Sequence, residues 1–204
     1  MGISLSSAFL RSSAKDIFQM TSPISFQMQR LIFSSLLNSK PAWFVLVGLS
    51  PAVRGGFHEM RVQYVEQAPI PEMKSADRTE LVKLGEICTN ASARSLEIQS
   101  AVRHRILADL APPERATLSR KLAEWWTLDF AAFRDEVKRV FRIEIPVKER
   151  ADWETYLAEK GAEACALTAE IEAAEQEIDA IVYRLFDLSP DEIALLEASI
   201  AGQC

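Results

Sequence analysis

Between residues 164 and 185, apolar side chains recur at alternating steps of three and four: Ala164, Leu167, Ile171, Ala174, Ile178, Ile181 and Leu185. A helix carrying such a seam is stable only if a second helix covers it along its length. The chain contains a candidate partner. Leu81, Leu84, Cys88, Ala91, Ile98 and Val102 follow a similar rule, with Ser95 the one polar intruder. The expectation is an antiparallel helical hairpin of residues 78–107 and 155–185. Ile171 and Ile178 should be buried in it, and the tryptophan-bearing helices should fold between its arms.

Caps and periods divide the rest. Residues 24–37 set Ile24, Met28, Leu31, Ile32 and Leu36 at helical spacing. Asn38-Ser39 breaks that run, and Ser39 followed by Pro41 has the chemistry of a helix start. Trp43 to Leu49 is solidly apolar and should be buried, as helix or strand. Ser50 to Gly56, with Pro51 and the Gly55-Gly56 pair, reads as a surface loop. Phe57 to Val65 leaves room for a short strand or two, and Pro69 and Pro71 hold their segment extended. Asp77 with Glu80 has capping-box form. Pro112-Pro113-Glu114 opens a helix carrying Leu118, Leu122, Trp125 and Trp126, and Asp129 to Phe141 forms the next. A longer helix runs from near Glu149 to about Leu185, and Ser189-Pro190-Asp191-Glu192 caps the last one.

At 204 residues this is one domain or a small domain with an extension. Only 7 glycines argue against a turn-rich barrel or sandwich, and the Ala-, Glu-, Leu- and Arg-rich runs favour helices. The fold class is therefore α+β, mainly α. The net charge of -6 is unevenly spread. Residues 1–73 hold six basic groups and four acids, whereas 74–204 hold 17 and 25. After Val147, fourteen acids face four bases. By this count the amino-terminal third is the part whose charge suits a polyanion.

Cys88, Cys165 and Cys204 are far apart, without zinc-ligand spacing, and His58 and His104 complete no cluster. They read as reduced thiols of a cytoplasmic protein. No apolar run reaches the ~18 residues of a membrane span, so no membrane partner is expected. The Ser-rich start, Met1 to Met20, lacks the form of a secretory signal, and residues 1–23 stay unassigned.

Catalytic signatures are missing. There is no glycine-rich nucleotide loop and no serine elbow, and the two histidines sit in separate regions. Enzymes that methylate an amino group of DNA flip the base out and hold it in an Asn/Asp/Ser-Pro-Pro-aromatic loop. Ala111-Pro112-Pro113-Glu114 has the wrong residue at both ends. Glu170, Glu172, Glu175 and Glu177 read as the solvated face beside the seam. Trp125-Trp126 reads as core packing in preference to a base-stacking pair.

The informative stretch is residues 36–71, LLNSKPAWFVLVGLSPAVRGGFHEMRVQYVEQAPIP. It holds five fragments in order: Leu37-Asn38-Ser39, Trp43-Phe44, Arg54-Gly55-Gly56-Phe57, Gln63-Tyr64-Val65-Glu66 and Pro69-Ile70-Pro71. This series resembles the TaqI-like C-terminal specificity domain of type IIG restriction enzymes and adenine-specific DNA methyltransferases. Lys121-Leu122-Ala123-Glu124-Trp125-Trp126 with Asp129-Phe130, and the stretch from Glu177 to Ile193, are similar to the helical part that follows it. The likeness covers about residues 24–200.

The resemblance implies a partial target-recognition domain over 24–73 and a helical hairpin with a short helical cap over 74–204. It implies sequence-specific recognition of double-stranded DNA, with the methyltransferase core and the first half of the specificity domain absent. The chain on its own should catalyse nothing and hold no cofactor; S-adenosylmethionine belongs to the missing catalytic domain. A separate methyltransferase or endonuclease subunit is the expected further partner. The residues expected at DNA are Lys40, Arg54, Gly55, Gly56, Phe57, His58, Arg61, Gln63 and Tyr64. Glycines let backbone approach phosphate, and Arg54 has the fork for a phosphate or a guanine edge. The rival reading is a helical interaction module that docks a partner protein through its heptad seam.

Overall fold

The computed structural model describes residues 26–53, 57–115 and 117–201, of which 78% are helical. The strands form one two-stranded antiparallel sheet, so the mainly α, α+β class holds. The described residues fall into two compact units. Thr89–Glu172 is one; the residues up to Cys88 and from Ala173 onward form the other. The long helices α4 (Ser75–Leu110) and α7 (Val147–Leu185) contribute to both.

The unit built from the chain's two ends begins with α1 (Phe26–Leu37) and α2 (Lys40–Leu49). Ser39 ends one and starts the other: its hydroxyl donates to the Leu36 carbonyl at 2.6 Å and accepts from Ala42 N–H at 3.4 Å. Pro41 occupies the first turn of α2, as expected. Strands β1 (Ala52–Val53) and β2 (Phe57–His58) follow, pairing Ala52 with His58 and Val53 with Phe57. A single turn, α3 (Val62–Val65), leads to the extended proline segment. The first part of α4, the last part of α7 and α8 (Pro190–Ala201) complete the unit. Its core joins Ile32 and Leu36 with Ile70, Leu81, Leu84, Ile178, Val182 and Phe186. Arg184 near the end of α7 donates to Asp77 in the first turn of α4 at 2.8 Å, so the two segments run antiparallel.

In the other unit, Arg94 of α4 reaches Glu163 of α7 at 3.0 Å, and the Arg105 guanidinium lies 4.1 Å from the Tyr156 ring centroid. The antiparallel pairing therefore recurs here. Between these segments come α5 (Arg120–Ala123) and α6 (Phe130–Phe141). Asp129 caps α6 by accepting from Ala132 N–H at 2.7 Å. The core gathers Val102, Ile106, Leu122, Trp125, Phe133, Val137, Phe141 and Trp153. Trp125 is 2% exposed, so the packing role expected for it is observed.

Several expectations need correction. Trp43 to Leu49 is not a buried segment: Leu46 is buried but Trp43 is 42% exposed, because α2 presents only one stripe to the core. The loop read over Ser50–Gly56 contains β1, whose partner supplies the hydrogen bonds that the sequence does not reveal. Asp77 lies inside α4 and pairs with Arg184, so it is no cap. Pro112-Pro113-Glu114 opens only a short 3-10 turn, Pro113–Arg115, and the tryptophans sit on a second one, Trp125–Thr127. Ile178 is buried as expected, whereas Ile171 is only half-buried.

Candidate functional site

The fragments singled out in residues 36–71 have distinct structural tasks, all in the first unit. Leu37-Asn38-Ser39 makes the break between α1 and α2, which bend by 72° there. Pro69-Ile70-Pro71 closes the region. Ala68 and Ile70 are buried, and with Phe33, Leu36, Val182 and Phe186 they line a narrow apolar crevice of about 20 Å³. Between these anchors lie the hairpin and α3. Glu59 N–H donates to the Pro51 carbonyl at 3.3 Å, extending the hairpin's closure by one residue pair.

The expected DNA contacts divide three ways. Arg54, Gly55 and Gly56 lie outside the described residues. Phe57, His58, Arg61, Gln63 and Tyr64 are brought together on the hairpin and the turn that follows it. Phe57 is 73% exposed, the highest value among the exposed large apolar side chains of this hairpin and turn. Its cross-strand partner Val53 is 44% exposed. His58 is pinned beside β1, its Nδ1 donating to the Ser50 carbonyl at 3.3 Å. Arg61 is exposed and pairs with Glu59 at 2.6 Å. That pairing raises the guanidinium pKa and offsets part of its charge. The Gln63 carbonyl accepts from the Gln67 side chain at 2.6 Å, and the Gln63 side chain is exposed. Tyr64 is half-buried.

Lys40 does not join this group. It stands at the first residue of α2, and the hairpin follows the last, about 14 Å away along the axis at 1.5 Å per residue. Its ammonium is held by Glu197 at 3.1 Å and Asp179 at 3.5 Å. Its backbone N–H donates to Asp179 Oδ1 at 2.8 Å. The hydrogen bond to Glu197 raises the Lys40 pKa. Tyr183 also donates to Glu197, at 3.0 Å. Burial pushes the Asp179 carboxyl up against the pull of Lys40. Sequence reading missed Asp179 because it lies 139 positions away from the N–H it accepts.

Glu170, Glu172, Glu175 and Glu177 are all exposed, as their reading as a solvated face requires. Cys88 and Cys165 are free thiols, and burial pushes the Cys88 thiol up; Cys204 lies outside the described residues. Among the described residues no group of His, Cys, Asp and Glu is arranged to hold a metal ion. No single helix among them is long and apolar enough to cross a membrane.

A family model described as a domain of unknown function, DUF8810, matches residues 74–182, more than half of the chain. The chain belongs to the DUF8810 family. The match begins where the helical part was expected to begin, one residue before α4. The DUF8810 region thus takes in α4, α5, α6 and all but the end of α7, and the hairpin precedes it. No curated protein and no solved structure matches the chain.

Proposed function

We propose that this chain is the sequence-specific DNA recognition piece of a cytoplasmic restriction-modification system with an adenine-specific methyltransferase. It positions duplex DNA for a catalytic domain carried elsewhere, on a longer protein or on a separate subunit. The observation that carries this reading is the β1–β2 hairpin. A two-stranded ribbon fits the major groove of B-DNA. Here the strands leave a cross-strand pair of large apolar side chains, Val53 and Phe57, in solvent, and the sequence between them is Arg54-Gly55-Gly56. Isolated apolar side chains on a surface are ordinary, but a pair flanking a basic Gly-Gly sequence suits a surface that becomes covered on binding. Apolar contact with a thymine methyl and an arginine fork on guanine are the matching base contacts. The described residues of the five fragments lie within this one unit, which is further support.

The rival reading, partner docking through the heptad seam, has less support. Ala164, Ala174 and Ile178 are each about 5% exposed or less, so those parts of the seam are already covered.

The test is duplex binding by the full chain at two salt concentrations, on a target duplex selected from a random pool and on a scrambled one. Arg54→Ala should weaken binding without unfolding the protein. If Arg54 reads a base, the loss is about 1–3 kcal/mol and confined to the target. If it holds phosphate, the loss is similar on both duplexes and the salt slope falls by about one. A parent chain that binds neither duplex at low salt overturns the reading.

A further inference from the structure

The summed charge of residues 74–204 hides a local reversal. Residues 115–150 hold nine basic groups and six acids, and several of the bases meet where α6 turns into α7. There α6 ends at Arg142, which takes a left-handed conformation (φ 60°) and donates its N–H to the Lys138 carbonyl at 3.0 Å. Four residues intervene before α7 begins at Val147. The connection is held firmly. Ile145 is 2% exposed in the core, and Arg150 Nε donates to its carbonyl at 3.0 Å. The one acid in the connection, Glu144, is engaged by Lys138 at 2.5 Å and by Arg150 at 3.7 Å. Arg134 adds to the positive field that, with the Lys138 hydrogen bond foremost, depresses the Glu144 pKa.

On either side of Glu144, Arg142 and Lys148 are exposed and have no acidic partner among the described residues. Asp135 and Glu149 are the nearby acids that oppose them, and they are outnumbered. The N-terminus of the 39-residue helix α7 opens at the same corner, adding the positive end of the helix dipole.

We infer that the α6–α7 corner is a second nucleic-acid surface, on which Arg142 and Lys148 contact the phosphate backbone of duplex DNA. A turn with two uncommitted cations and two partly neutralised ones suits an extended line of phosphates. Such contacts carry no base information; they add affinity and orient the protein on the duplex. This inference rests on the reading of the chain as a DNA-recognition piece, and it assigns the DUF8810 region a part in that task.

The experiment measures duplex affinity of the full chain at 50 and 200 mM salt, on the selected and the scrambled duplex. The double variant Arg142→Gln/Lys148→Gln is compared with Lys83→Gln/Arg94→Gln, which removes the same charge elsewhere on exposed helix surface. Two lost phosphate contacts lower the salt slope by about two, so the corner variant's affinity ratio between the two salts shrinks roughly ten-fold. The loss should be equal on both duplexes, with an unchanged melting temperature, and the control should show a much smaller loss. Parent-like affinity and slope in the corner variant, while Arg54→Ala weakens target binding, overturns the corner and leaves the hairpin reading standing. Binding that falls in the corner variant but ignores both Arg54→Ala and sequence keeps the corner and removes the hairpin. Equal losses in corner and control variants reduce the effect to net charge and overturn the inference.

Discussion

Two buried acids show how one residue type serves opposite electrostatic ends. Glu136 is 5% exposed and receives Arg139 Nε at 2.8 Å and the Ser119 hydroxyl at 2.6 Å. The Arg139 hydrogen bond is the main reason its pKa falls to about 2. Asp179, also buried, is pushed up because desolvation outweighs its bonds to Lys40. The consequences for stability differ in sign. A depressed carboxylate stabilises the fold above its unfolded pKa of about 4.3, and that contribution is lost as pH falls toward 2. Glu136→Gln should therefore cost about 1.5–3 kcal/mol at neutral pH, the range for hydrogen bonds to a charged group. It should also flatten the acid limb of the stability curve between about pH 4.5 and 2. Urea unfolding across that range checks both; an acid limb as steep as the parent's would show that Glu136 does not govern it.

At the level of elements, the contact between α1 and α4 depends on a missing side chain. A Cβ placed on Gly85 would stand 2.7 Å from Ser35 Oγ and 3.4 Å from the Leu31 carbonyl. Ser35 is itself buried and donates to the Leu81 carbonyl at 3.1 Å, so it moves only by breaking that bond. Gly85→Val should lower stability by about 2–3 kcal/mol through overpacking and the lost hydrogen bond, despite the better helix propensity of the new residue. Thermal unfolding with an unchanged midpoint would mean that the helices separate freely. The end of the chain shows a helix start that sequence reading located correctly. Ser189 N–H donates to Glu192 Oε2 at 2.8 Å, and Glu192 N–H donates back to Ser189 Oγ at 3.4 Å. The hydrogen bonds to Ser189 lower the Glu192 pKa.

For the whole molecule, the proposed role separates recognition from chemistry. The chain has neither a glycine-rich donor loop nor an amino-holding Pro-Pro-aromatic sequence, and the Pro112-Pro113 string enters a 3-10 turn beside a packed core. Isothermal titration of the full chain with S-adenosylmethionine should give no heat of binding. A micromolar affinity would assign the chain a catalytic part and contradict the proposed division of labour.

Local chemistry made the helices legible. Ser39, Asp129 and Ser189 act over three or four residues, and a 3-4 alternation is a statement about one helix surface. Local pattern alone therefore established that the chain is mainly helical, where its helix pair lies, and that Ile178 and Val102 are core residues. It could not decide which of two chemically equal residues meets a distant partner. Lys40, expected at DNA, has acidic partners in Asp179 and Glu197 that only tertiary structure reveals. No local pattern singled out Arg142 and Lys148, which stand on either side of the connection from α6 to α7. Asp77 matched a cap by spacing, yet it pairs with Arg184 across 107 positions. Electrostatic partnership depends on distance in space, and in a helical hairpin residues far apart in sequence become neighbours only once the packing is complete.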